Sequence, residues 1–132
     1  MHRLPSRLTI FRFRCAAILL CAKCVLAPIA VGILLLSTLT GDPSHAQLGV
    51  GLALLTLLIA LLQWLMAART SCPLCMTPVL AKKHCMTHRH ARPLFGSYRL
   101  RVACAILFRN TFHCPYCHEP TAMEVREKKY RG

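Results

Sequence analysis

The sequence predicts a membrane protein: a two-helix transmembrane hairpin followed by a small α+β cytoplasmic domain. Three observations carry that fold class. Two apolar runs, residues 16–39 and 46–68, are each long enough to cross a bilayer. Lysines and arginines crowd the outer flanks of this pair and are absent from the loop between the runs. Behind the pair stand two Cys-x-x-Cys steps, Cys72-Pro73-Leu74-Cys75 and Cys114-Pro115-Tyr116-Cys117, in a stretch too short to be held by an apolar core alone.

The chain opens with a basic segment, residues 1–14, carrying Arg3, Arg7, Arg12 and Arg14. The first apolar run follows, with Lys23 as its single charge; the second has none. At about 1.5 Å per residue, runs of this length cover the roughly 30 Å of hydrocarbon in a bilayer. Hydrophobic residues make up 55% of the chain and gather in its first half, so no soluble domain of matching size remains to wrap two core helices. The connecting Gly41-Asp42-Pro43-Ser44-His45 is short and turn-rich, which predicts an antiparallel hairpin over 15–68. Pro28 is expected to kink the first helix. Gly49 and Ala53 form a small-xxx-small pair, with Gly51 beside them, for close helix contact or for pairing of two copies of the chain. Cys21, Cys24, Gln63 and Trp64 read as packing residues, since no further ligand type stands near them.

Positive residues are retained on the cytoplasmic side of a bilayer, so both termini are expected in the cytoplasm and Asp42 and His45 outside, with the chain in the cell inner membrane. Lys23, about two turns into its span, reaches the headgroups by snorkelling. The basic start, apolar run and Ser44-His45-Ala46 also follow the order of a signal peptide, but the run exceeds the roughly 7–15 residues usual there.

Residues 69–132 form the second unit. Twelve Lys/Arg against three Glu leave it at +9. Reducing conditions in the cytoplasm disfavour disulfides and leave a metal as the staple. Two Cys-x-x-Cys steps can place four thiolates around one ion, so Cys72, Cys75, Cys114 and Cys117 are the expected ligands of a structural Zn²⁺. Proline after the first cysteine of each pair presets the turn. Ribbon knuckles usually carry Gly after the second cysteine, where φ is often positive; Met76 and His118 stand there, which predicts a distorted first knuckle. The 38 residues between the pairs exceed the roughly 15–20 of a short ribbon, so the insert must hold structure of its own. It contains His84-Cys85-Met86-Thr87-His88-Arg89-His90, in which Cys85 and His88 are possible additional ligands. They would complete a site with Cys72 and Cys75, leaving Cys114 and Cys117 to His113 or His118. Residues 97–108 alternate as a strand does, yet Leu94, Tyr98, Val102 and Ile106 keep helical spacing. Their alanine content favours a helix lying near the membrane.

The chain carries only four acidic residues, no paired carboxylates, no Ser/His/Asp set and no phosphate-cradling Gly loop, which argues against a hydrolytic enzyme. The sequence supports a membrane-anchored, zinc-stabilised basic interaction module. Lys82, Lys83, Arg89, Arg92, Arg99 and Arg101 are its expected contacts with an anionic surface: membrane lipids first, with an acidic protein or nucleic acid as other partners. Cys-Pro-Tyr-Cys resembles the active site of glutaredoxins, which implies the alternative of a thiol–disulfide redox protein. Cys114 lies only 18 residues from the C-terminus, which leaves no room for the strands and helices that normally follow, and Pro120 would fall inside the expected helix. A metal sensor or handling protein using the His/Cys insert is a third class. In the order of its parts the chain resembles small bacterial membrane proteins that join a two-helix hairpin to a C-terminal zinc-ribbon-like tetracysteine domain. That resemblance implies architecture and cytoplasmic placement, and no activity.

Overall fold

A computed structural model describes residues 2–81 and 85–125. The element order is β1 (His2–Leu4), α1 (Arg7–Thr40), α2 (Pro43–Ala68), α3 (Tyr98–Arg109), β2 (Thr111–His113) and β3 (Pro120–Val125). Two long apolar helices thus stand against a small unit that contains a three-stranded sheet.

Local chemistry sets the ends of the long helices. Ser6 caps α1, its hydroxyl accepting from the Thr9 N–H at 3.3 Å. Gly41 ends α1 at φ 68°, a left-handed conformation open to glycine without a Cβ penalty, and its N–H donates to the Ser37 carbonyl. Pro43 then opens α2, where its missing N–H costs nothing. Only Gly41 and Asp42 separate the two helices, so α2 must return along α1. α1 runs through Pro28 without interruption. Close approach centres on Gly49: a Cβ there would lie 2.6 Å from Leu34 Cδ2, whereas one on Gly51 would meet nothing within 4 Å.

Both helices are long and apolar enough to cross a membrane. Leucines such as Leu35, Leu39, Leu54, Leu57 and Leu61 stay exposed around their outer faces, unlike those of a core helix in a soluble protein.

The lower end of the pair is different. Phe13, Ala16, Ala17 and Leu20 of α1, with Ala67 of α2, are buried in one cluster with Val79, Leu80, Val102, Ala103, Ile106, Phe112 and Met123. Phe13 stacks on Phe112 with ring centroids 5.5 Å apart. Gln63 is buried beside this cluster, its amide donating to the Leu80 carbonyl at 3.5 Å. The basic N-terminal segment joins the same unit: β1 pairs in parallel with β3, which pairs antiparallel with β2, giving the order β1-β3-β2. Leu4 plants its side chain in the core. β1 and β3 therefore lie at the same end of the hairpin.

Residues 98–109 form a helix, as their alanine content suggested. A tight turn at Phe95 (φ 49°) and Gly96 (φ 77°) delivers the chain to Ser97, whose hydroxyl caps the Leu100 N–H, and Asn110 ends α3 at φ 52°. Asn110 also accepts from the Arg14 guanidinium at 2.9 Å, while Cys104 lies beside Cys21. These two contacts make α3 run antiparallel to α1, with the apolar side of an amphipathic helix against it.

Candidate metal centre

Each Cys-x-x-Cys step forms the tip of a hairpin. The first is closed by a bridge between Ser71 and Pro78, and by the Val79 N–H donating to the Thr70 carbonyl. The second grows from the β2–β3 pair, in which His113 faces Pro120. The backbone bonds then repeat. Met76 N–H donates to the Cys72 carbonyl at 3.0 Å and Cys72 N–H to the Thr77 carbonyl at 3.0 Å. His118 N–H donates to the Cys114 carbonyl at 2.8 Å and Cys114 N–H to the Glu119 carbonyl at 3.1 Å. Met76 and His118 take the same left-handed conformation, φ 53° and 59°. The distortion expected of the first knuckle is absent, because its surrounding bonds hold Met76 in the conformation that glycine usually supplies.

The two tips face one another and bring four sulfurs together. The ligand atoms of Cys72, Cys75, Cys114 and Cys117 all lie within 4.8 Å of one another, and these four can hold a metal ion. Cys72 and Cys117 Sγ atoms are 3.9 Å apart and those of Cys75 and Cys114 are 3.7 Å apart. Sulfurs about 2.3 Å from a shared tetrahedral ion are separated by about 3.8 Å. A disulfide would need about 2.05 Å, so both cross-hairpin pairs are free thiols.

Cys72 and Cys114 are fully buried, and Cys75 and Cys117 partly so. Burial pushes the Cys72 thiol up against the lowering effect of the Cys75 and Leu74 N–H groups. Burial pushes Cys114 up further. At Cys75 burial also acts upward, but the Thr77 N–H and hydroxyl and the neighbouring thiols overcome it, lowering the group to about 7. The site is therefore poised to release protons when a cation enters.

The insert packs on the second knuckle: the His88 N–H donates to the Pro115 carbonyl at 2.8 Å. Cys85 is exposed and lies outside the four-sulfur group. His88 stacks on His118 with centroids 5.0 Å apart, and His118 stacks on His113 at 5.3 Å. Desolvation and the positive fields of His88, His113, His90 and Arg101 lower the His118 pKa. Of the basic residues expected to meet an anionic surface, Arg89, Arg92 and Arg101 are exposed and Arg99 is half-buried, while Lys82 and Lys83 lie outside the described residues.

Arg92 and Arg101 line one cavity together with His90, His113, His118 and Arg109. Arg109 was not among the residues expected to meet an anion. Its signal was available: Arg101, Ala105 and Arg109 follow the i, i+4, i+8 spacing of one helix face, legible once the segment is known to be helical. Comparisons with family models, with curated proteins and with solved structures gave no match.

Proposed function

We propose that this chain is a membrane-anchored, non-enzymatic interaction module, stapled by zinc and basic on the side that meets its partner. The observation that carries this reading is the convergence of four cysteine sulfurs from two hairpin tips. Four thiolates in a closed set suit structural Zn²⁺, which needs no open coordination position and supplies folding free energy. Cys72, Cys75, Cys114 and Cys117 would hold it. The hairpin crosses the inner membrane with both termini in the cytoplasm, in keeping with the Lys/Arg-free loop and with the pairing of β1 and β3 at one end. The basic unit then lies next to anionic lipid, where each juxtamembrane Lys or Arg contributes about 1 kcal/mol.

The thiol–disulfide alternative has less support. A reactive cysteine is accessible and low in pKa, usually at a helix start. Cys114 is buried with a raised pKa, and a turn and then β3 follow it.

The deciding experiment is metal analysis of the purified full chain, paired with labelling of single cysteines in intact cells. One zinc per chain, lost on Cys72→Ser or Cys114→Ser, is expected. Labelling should reach a cysteine placed at Asp42 from outside, and one in the tail only after permeabilisation. A folded chain free of metal, or a tail labelled from outside, would overturn the reading.

A further inference from the structure

We infer that the cavity between α3 and the second knuckle is a binding site for a phosphate group. This rests on the reading above and names the chemistry of the acidic partner. Arg92, Arg101 and Arg109 meet His90, His113 and His118 around a cavity of about 160 Å³ whose floor includes the buried ring of Phe112. Among the described residues, no acidic side chain lines it. Among the described residues, none of the six cationic or imidazole side chains has a carboxylate oxygen within 4.0 Å; the ion pairs are Arg3–Glu124 and His45–Asp42. Positive charge gathered in a concavity without a counter-charge is what an anion would neutralise.

Arg101 is held for the task. One of its guanidinium nitrogens donates to the Arg92 carbonyl at 2.9 Å, which holds the fork in place and leaves its other N–H groups without a partner among the described residues. Arg109 sits two turns further along the same face of α3. Guanidinium forks match the oxygens of phosphate in pairs, and imidazole rings can add N–H donors. Three guanidiniums around one small cavity exceed what a singly charged carboxylate requires and suit a phosphate carrying more than one charge. The histidines do not form a second metal site in this arrangement. Among the described residues, the one group of three or more ligand atoms placed to share an ion is the four cysteines, and the guanidiniums would repel a divalent cation.

The phosphate can belong to a lipid headgroup or to a soluble phosphate compound. The test uses the full zinc-loaded chain. Inorganic pyrophosphate is titrated calorimetrically into the chain held in phosphatidylcholine nanodiscs. Native mass spectrometry of the chain in detergent counts retained phosphatidic acid against phosphatidylcholine. Saturable one-to-one binding of pyrophosphate assigns a soluble ligand, and selective retention of phosphatidic acid alone assigns a lipid. Either outcome supports the site. Arg101→Gln and Arg109→Gln should each weaken binding roughly ten- to a hundredfold, the scale of a lost hydrogen bond to a charged group. Arg69→Gln, equal in charge change but outside the cavity, should leave affinity within about twofold of the unchanged chain, as a screened distant charge does. Arg101 and Arg109 are exposed, so the fold should tolerate their loss, and retained zinc with unchanged circular dichroism verifies it. A zinc-loaded, folded chain that binds neither probe overturns the site while leaving the anchored module intact. Equal losses at Arg69 and Arg101, or a second zinc lost on His90→Ala, would overturn it too. A chain that never holds zinc instead defeats the underlying reading.

Discussion

Met76 shows how a single residue is held against its own preference. It sits at φ 53° and is 74% exposed, so its side chain contributes little packing in return for a conformation that costs a non-glycine residue about 1–2 kcal/mol. Met76→Gly should therefore stabilise the zinc-loaded chain. The gain is reduced to at most about 1 kcal/mol by the extra freedom of glycine in the unfolded chain, and denaturant unfolding at fixed zinc will read it. The thiols carry a second residue-scale expectation. Cys72 and Cys114 have raised pKa values and keep their protons at neutral pH, while Cys75, at about 7, is partly ionised there. A cation must displace those protons, so zinc affinity should fall as pH falls. Its logarithmic slope should steepen by about one unit through pH 7, where Cys75 also gains a proton. Competition with a chromophoric chelator across pH 6–8 measures this, and a flat profile would exclude the four thiolates as ligands.

Among the elements, the helix pair is set by one close contact. A Cβ on Gly49 meets Leu34 at 2.6 Å, whereas one on Gly51 meets open space. Gly49→Val should loosen the hairpin by about 1–3 kcal/mol, the usual cost of overpacking. Gly51→Ala should be neutral or slightly stabilising, because alanine is the better helix former. Thermal unfolding in detergent of the two variants side by side tests the contrast, and equal effects would place the tight contact elsewhere. The small-xxx-small spacing alone could not choose between these glycines, since which one faces α1 depends on how the two helices are rotated against each other.

At the scale of the whole molecule, the cysteine-rich unit does not close its core with residues 69–132 alone. Leu4, Phe13, Ala16, Ala17, Leu20 and Ala67 come from before it. Leu4→Ala should cost about 2–5 kcal/mol, as for other buried leucines, even though residue 4 lies far from the cysteines in sequence. A fragment of residues 69–132 should still take up zinc through its four cysteines, yet be cut faster by protease than the full chain. Limited proteolysis of the two zinc-loaded forms decides this; equal resistance would mean that the N-terminal contacts add nothing.

The sequence by itself determined what is encoded in contiguous or periodic residues. Apolar runs, a turn-rich linker and two Cys-x-x-Cys steps were enough to anticipate two long apolar helices, their return and a four-sulfur cluster. The alanines of 98–109 favoured a helix because propensity acts locally, and the structure adds Ser97 as its cap. What tertiary structure decided depends on contacts between distant segments. Nothing in His2-Arg3-Leu4 specifies a strand until β3 offers its edge, and Phe13 reads as one more apolar residue until Phe112 stacks on it. The same holds for the basic cavity. Arg92, Arg101, Arg109 and three histidines are scattered through a uniformly positive stretch, and only the packing of the insert on the second knuckle turns that stretch into a site.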